Sequence, residues 1–565
     1  MRKSIVFLLL LVSSGMLAQS ISDYYRLPID GEFSISANYG ELRSDHFHAG
    51  IDIRVGGVVG KPIYAVADGY VSRIGVSPYG YGKVVYITHP NGTTSVYAHL
   101  HTFSPAIKTY IETIQYARQR FAVNEMVESG ILPIKKGQKI GTAGNSGSSG
   151  GPHLHFEIRE TSLQIPLNIF AQGYYKVPTD NQPPTIRSVS FFSYSQIDSI
   201  PHISLFHQQT KPPQNTNQII SVSDTFFVGV DVIDTQNGTP AKLAIANLSV
   251  ALDKEIIFAC SFDSIAFNMS RYVNSAIVYS ERIRNNQTML KTFIEPDNNL
   301  SIYQNVKDNG LIILQDTLPH QLQIKATDDA GNTTVRTFTV QKKENLLITK
   351  NLYSPPSTPV FWNQEKVIAQ NGLQVTIPAK TLYNSVALVV DSLEERPANA
   401  YSPLWNIHTP ETPLHQAITI RINTELPEEL KTKAVLAGIN NKGKIYSAGG
   451  RWNNDAIEAN IRNFGRFFVT IDTIPPSIKP RFVNGANLTK QSQLKIKITD
   501  ELSGIATYTA YIDDQWALFE YDAKNDLLVY TFDSTRIKRN KKHKLMLTVT
   551  DNKQNTNSLQ IDFTW

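Results

Sequence analysis

Three short segments near the N-terminus carry the side chains with which this chain could do chemistry. The first is Gly151-Pro-His-Leu-His-Phe-Glu-Ile158. On a strand, alternate side chains share a face, so His153, His155 and Glu157 stand together and Leu154, Phe156 and Ile158 turn to a core. Two imidazoles about 7 Å apart along a strand can reach one metal ion and its substrate. A half-buried strand with two solvent-facing histidines would look the same. The second segment is His46-Phe-His-Ala-Gly-Ile-Asp52. Gly50 and a β-rich flank argue against a helix between His48 and Asp52. They predict a turn, with close backbone approach at Gly50, leading into a strand through Ile51 to Ile53. The third is Thr94-Ser-Val-Tyr-Ala-His-Leu100, which follows a strand-like run across Asn91-Gly92, a hairpin signal. His99 is expected at the far end of that hairpin, on the polar face with Ser95 and Tyr97.

Read one at a time, each segment could be an incidental polar surface. Their clustering argues otherwise: seven of the 13 histidines lie between His46 and His155. A catalytic zinc ion takes three protein ligands and keeps a position for water. Two histidines and an aspartate meet that need, and two further histidines remain for proton transfer and transition-state stabilisation.

These segments must be held by a mainly β scaffold. Short alternating runs with turn signals recur along the chain, such as Leu494, Ile496 and Ile498 between lysines. One helix is expected, starting with Ser104 as cap and Pro105 at its first position. Phe103, Ile107, Tyr110, Ile111 and Ile114 fall at helical spacing. Three polar, proline-bearing breaks divide the rest: Thr179–Thr185, Ser354–Pro359 and Asp472–Ser477. The segments after the first and third breaks end alike, in Leu322-Gln-Ile-Lys-Ala-Thr-Asp328 and Leu545-Met-Leu-Thr-Val-Thr-Asp551. They read as the last strands of two related β-sandwiches and resemble bacterial immunoglobulin-like modules.

A chain of 565 residues exceeds one core, so three or four domains are expected. The net charge of +5 is a weak bias with no basic run, which gives no argument for nucleic acid. The single cysteine, Cys260, excludes an intramolecular disulfide. Arg2, Lys3 and the apolar run Ile5 to Val12 read as a signal peptide cut after Ala18. That run is too short to span a bilayer, and no other span is expected. The mature protein is therefore expected in the periplasm or outside the cell, with no transmembrane anchor after cleavage.

His48-x-x-x-Asp52, Tyr97-Ala-His-Leu100 and His153-Leu-His155 resemble the signature of the LytM/lysostaphin-type metallopeptidases. Ala65-Val-Ala-Asp-Gly69, Tyr81-Gly-Lys-Val, Lys136–Gly141 and Gly144–Pro152 resemble that family too, and the likeness runs from about Ala37 to Ile158. The resemblance implies that His48, Asp52 and His155 bind Zn2+. It implies that His99 and His153 act on water and on the developing oxyanion, and that the substrate is peptidoglycan. Asn38 and Arg43 are expected to contact substrate. Residues 102–133 depart from the family as an insertion carrying the helix, a candidate wall or lid of the groove. The expected layout is a signal peptide (1–18), a peptidase domain (19–178), and β-sandwiches at 185–345, 355–471 and 475–565. The sandwiches would bind the wall or an envelope partner, or act as spacers. The competing readings are a catalytically silent scaffold that activates other cell-wall hydrolases, a secreted protease of ordinary proteins, and an adhesin.

Overall fold

The computed structural model describes residues 24–211, 215–343 and 357–565. The expected signal peptide and the first half of the Ser354–Pro359 break lie outside the described residues. The N-terminal domain is built from strands β1 (Ile35–Ala37), β2 (Ile51–Arg54), β3 (Pro62–Tyr64), β4 (Gly69–Val76), β5 (Val84–Thr88), β6 (Thr93–Ala98) and β7 (Leu100–Phe103). Helix α1 (Pro105–Arg118) follows, then β8 (Val123–Met126), β9 (Pro133–Ile134), β10 (Lys139–Ala143), β11 (His153–Glu160) and β12 (Pro166–Leu167). The main sheet is antiparallel and ordered β1-β2-β11-β6-β5-β4-β8, with β9 and β12 at its flanks; β3, β10 and β7 form a second, three-stranded sheet.

Alternation positions the centre of the sheet. Leu154, Phe156 and Ile158 of β11 are fully buried in the domain core with Ile53, Ile87 and Tyr97. His153, His155 and Glu157 take the opposite face. The register sets His155 beside Asp52 on β2 and beside Ala98 on β6. Gly50 lets β2 enter the sheet: a Cβ there would lie 2.3 Å from the Phe156 carbonyl oxygen. Helix α1 buries Ile107 and Ile111 on the core. Pro105 starts it, but Ser104 makes no side-chain capping bond; its backbone carbonyl accepts from Lys108 N–H at 2.8 Å instead.

The remainder is β-sandwich. Residues from Thr185 to Lys342 form a five- and a six-stranded sheet around one core, and residues from Ser477 to Thr564 form a four- and a five-stranded pair. Each of these modules carries one parallel strand pair joined to its last strand, Asn215–Val222 with Thr333–Lys342 and Ala486–Asn487 with Thr556–Thr564. Between them, Thr358–Ile471 contributes one two-stranded and two five-stranded sheets.

The cores are not separate. Tyr39 and Phe47 of the first domain are buried in the core of the following module, with the Phe47 and Phe262 rings 6.0 Å apart. Ala241 and Leu243 of that module are buried in turn in the core of the first domain. The first sandwich is thus the outer wall of the segment that carries His48.

Candidate active site

Each site residue arrives by a different route. His48 lies on a tight hairpin closed by Gly40 N–H to the His48 carbonyl and His48 N–H to the Glu41 carbonyl, both 2.9 Å. Asp52 and His155 face each other across β2 and β11. His99 follows the last residue of β6 and corrects the expectation of simple alternation. Tyr97 is on the core face, its ring centroid 5.4 Å from that of Phe156, so a regular strand would bury His99 there too. His99 instead has φ 59°, a left-handed conformation that turns its ring to the opposite face. Its ring centroid lies 4.8 Å from His153 and 5.9 Å from His155.

Three donor atoms converge. His48 Nε2, Asp52 Oδ1 and His155 Nδ1 lie 3.0 Å from one another in all three pairs. All three residues are buried. The outward sides of both rings are already committed. His48 Nδ1–H donates to the Asn38 carbonyl at 2.8 Å. His155 Nε2–H donates to Glu157 Oε1 at 2.8 Å. With those protons spent outward, three lone pairs point at one spot, an arrangement that calls for a cation. Donors about 2.1 Å from a tetrahedral zinc ion stand roughly 3.4 Å apart, within a few tenths of the observed spacing. His48, Asp52 and His155 could therefore hold a metal ion.

The electrostatics agree. Burial opposes the Asp52 charge, yet the His48, His153 and His155 rings packed around it outweigh burial and hold the carboxyl well below its usual range. Burial likewise disfavours charge on His155, but its bonds to Asp52 and Glu157 push it up to about 9. The pocket draws in positive charge, as a proton or as a metal.

The other two histidines face this trio. His99 Nδ1–H donates to the Ser146 carbonyl at 2.8 Å, and burial followed by the nearby His155 and His153 lowers its pKa to about 3. It is neutral at working pH, with Nε2 free. His153 Nδ1–H donates to the Gly151 carbonyl at 2.8 Å, and its Nε2 stands 3.4 Å from Asp52 Oδ1.

Residues around the site hold these rings. Glu157, fully buried, accepts from Arg159 Nε at 2.6 Å and from the Tyr81 hydroxyl at 2.5 Å while fixing His155. Arg159 shares the β11 face, so alternation alone could have marked it; its guanidinium covers Phe267 of the first sandwich at 4.5 Å. Arg43 Nη2 lies 3.2 Å from Asp52 Oδ2. Asn38, expected at the substrate, is 1% exposed. Its amide donates to the Ala244 carbonyl and to Asp329 Oδ2, both at 2.9 Å, and accepts from Ala244 N–H at 2.7 Å. With every polar atom used, Asn38 stands behind His48, not in the groove. Among the other clustered histidines, His89 is bound at 2.8 Å to both the Asp68 carbonyl and Ser95 Oγ, away from the site, and His46 pairs with Asp45. On the His99 side, the last module grips the rim: Glu520 pairs with Lys83 at 2.7 Å, and Lys524 donates to the Asn145 and Gly147 carbonyls flanking Ser146. Tyr116 of α1 meets Trp516 there, centroids 5.1 Å apart.

A family model described as peptidase family M23 matches residues 46–116 and 121–167, which hold all five site residues. Residues 46–167 are thus similar to an M23 peptidase domain. A second model, the Zu5-like domain, matches residues 357–472. The M23 region is 34% identical over 118 residues to the DD-carboxypeptidase/endopeptidase Mpg of Neisseria meningitidis serogroup B, covering 21% of each chain. It is 36% identical over 149 residues to the murein hydrolase activator NlpD of Salmonella dublin, covering 26% of this chain and 32% of that one. It is 29% identical over 141 residues to the peptidoglycan DD-endopeptidase ShyA of Vibrio cholerae, covering 24% and 27%. The chain thus spans between a fifth and a third of the length of these relatives.

Proposed function

We propose that the M23 domain is a zinc-dependent endopeptidase that hydrolyses peptide bonds in the stems or cross-links of peptidoglycan, acting in the periplasm or outside the cell. The observation that carries this reading is the convergence of three lone pairs from His48, Asp52 and His155 beside the His99 and His153 imidazoles, whose Nδ1 atoms are held by backbone carbonyls. Zinc held by the three would supply Lewis-acid polarisation of a peptide carbonyl and a water whose pKa falls to about 7. His153 and His99 flank that position. One accepts the proton that the attacking water loses, and as an imidazolium returns it to the departing amine. The other faces the developing oxyanion. Ser146 and Gly151, through their carbonyls, keep both Nε2 atoms turned inward. Glu157, paired with Arg159, keeps the His155 lone pair aimed at the trio. No acyl-enzyme forms, so no Ser or Cys nucleophile is needed.

A second reading has support of its own, since a relative 36% identical carries the name of a murein hydrolase activator. In it, the domain binds wall or partner without cutting. Mass spectrometry of purified sacculi incubated with the protein separates the two. New muropeptides that disappear with a chelator and in His153→Ala are expected, and their masses name the bond. A zinc-loaded protein that releases nothing by itself, but accelerates a wall amidase, would overturn the enzymatic reading.

A further inference from the structure

A second convergence of donors lies outside the peptidase site. Asp180 belongs to the linker that leaves the first domain. Asp234 follows the strand Thr225–Ile233, and Asp328 follows the strand Pro319–Thr327. One carboxylate oxygen from each lies within 4.8 Å of the others. Asp234 and Asp328 are each 3% exposed. Three acidic groups at this spacing repel unless something positive stands among them.

Asp328 is partly provided for, since Asn332 donates to it from N–H at 2.8 Å and from Nδ2 at 3.0 Å. Asp180 Oδ1 accepts from Gln182 N–H at 3.0 Å. Asp234 is provided for least: its buried Oδ1 has no hydrogen-bond partner. Among the described residues, no Lys, Arg or His forms an ion pair with any of the three. A buried, unpartnered carboxylate oxygen costs free energy that the fold does not recover locally.

The last module gives an internal control. Asp472, Asp500 and Asp551 form a trio at the corresponding junction. The hydrogen bonds repeat atom for atom. Asn555 donates from Nδ2 to Asp551 Oδ2 and to the Asp472 carbonyl. Asn332 does the same to Asp328 Oδ2 and the Asp180 carbonyl. Two differences stand out. In the last module no buried oxygen of the trio is orphaned: Asp500 accepts from Leu502 and Gly504 N–H, and Asp472 from Ile474 and Ser503 N–H. It also has a buried cation nearby. Lys553, 7% exposed, donates from its ammonium to the Gly450 carbonyl at 2.7 Å and, without an ion pair to the trio, lies close enough to feel the charges of Asp472 and Asp551. The residue at the same offset from Asp328 is Ala330, which is exposed and brings no charge.

We infer that Asp180, Asp234 and Asp328 bind one divalent cation, calcium by its preference for carboxylate, carbonyl and water oxygens, whereas the last module satisfies its trio with backbone N–H groups and keeps Lys553 nearby. Hard oxygen donors with no nitrogen or sulfur among them exclude a zinc-type site. The exposed Ala330 leaves room for the waters that calcium retains. The ion would clamp the linker to the sandwich. It would also brace Asp329, whose carboxylate holds Asn38 at 2.9 Å and Asn168 at 3.1 Å. Without an ion, burial and then the Asp328 charge push the Asp234 carboxyl up to about 8, so a proton must fill the place.

Calorimetric titration of the whole, zinc-loaded protein with CaCl2, after exhaustive desalting, tests this without reference to peptidase activity. One saturable equivalent is expected, with a matching rise in thermal midpoint. Asp234→Asn, which keeps size and shape, should weaken binding at least tenfold. Ala330→Lys should abolish it while holding the midpoint near that of the calcium-loaded protein. Asp500→Asn should leave it unchanged. No saturable binding by the wild type at millimolar calcium would overturn the site. So would binding that survives Asp234→Asn, or that Asp500→Asn removes.

Discussion

The two trios, His48–Asp52–His155 and Asp180–Asp234–Asp328, solve one problem by different means. In the first, every donor is aimed by a partner behind it: the Asn38 carbonyl behind His48, Glu157 behind His155, Arg43 beside Asp52. Sheet register sets the spacing, and committed protons fix which nitrogen looks inward. In the second, the donors come from a linker and two strand ends, and one oxygen has no partner at all. Pre-aimed lone pairs suit an ion that must be held in one geometry while chemistry proceeds. A looser oxygen cluster suits an ion that ties segments together and tolerates variable coordination. The two are linked through Asp329 and Asn38, so the sandwich that houses the second trio is also the backing of the first.

The sharpest way to break this contrast is to remove the aim from the first trio. Glu157→Gln keeps an acceptor for His155 Nε2–H but leaves the buried Arg159 without its counter-charge. Stability should fall by about 3–5 kcal/mol, the range for breaking a buried pair. Zinc affinity should fall roughly 10- to 100-fold. Competition with a chromophoric chelator measures it, and unchanged affinity in a folded variant would show that Glu157 does not orient His155. A smaller effect is expected from cutting the link. Asp329→Ala leaves the Asn38 and Asn168 amides short of an acceptor, which should cost about 1–3 kcal/mol. If the trios are coupled, zinc affinity drops with it while the zinc ligands stay intact. A stability loss with no change in zinc affinity would make the sandwich a neighbour and not a support.

Much of the first trio was legible because its signals are local. Period-two alternation places His153, His155 and Glu157 on one face, the Asn91-Gly92 turn sets the hairpin, and Gly50 marks a close approach. The His99 rotation was not legible, since a left-handed residue at a strand end leaves no pattern in the side chains around it. Nor was the fate of Asn38, whose partners Ala244 and Asp329 lie 206 and 291 residues away. The same distance hides the shared cores: Tyr39 and Phe47 read as part of the peptidase, yet they are buried against the sandwich. The second trio was half visible. The alike strand ends at Asp328 and Asp551 and the alike breaks at Asp180 and Asp472 are in the sequence, but nothing local says that linker and strand end meet.

The smallest expected difference is one of slope. In the calcium-free protein the Asp234 carboxyl is pushed up to about 8, against about 3.9 for an unfolded aspartate. Between those values the folded chain holds a proton that the unfolded chain has released. Stability then falls as pH rises through that window, because the native state binds more protons than the unfolded state. Asp234→Asn has no such proton to lose, so its calcium-free stability should decline less between pH 5 and pH 8. Saturating calcium removes that slope for the wild type, because the ion displaces the proton that only the native state would hold. Urea unfolding at several pH values, with and without calcium, reads all four slopes. Parallel wild-type and Asp234→Asn slopes without calcium would mean that Asp234 does not carry the charge conflict of the trio, and the contrast with the zinc-type site would rest on geometry alone.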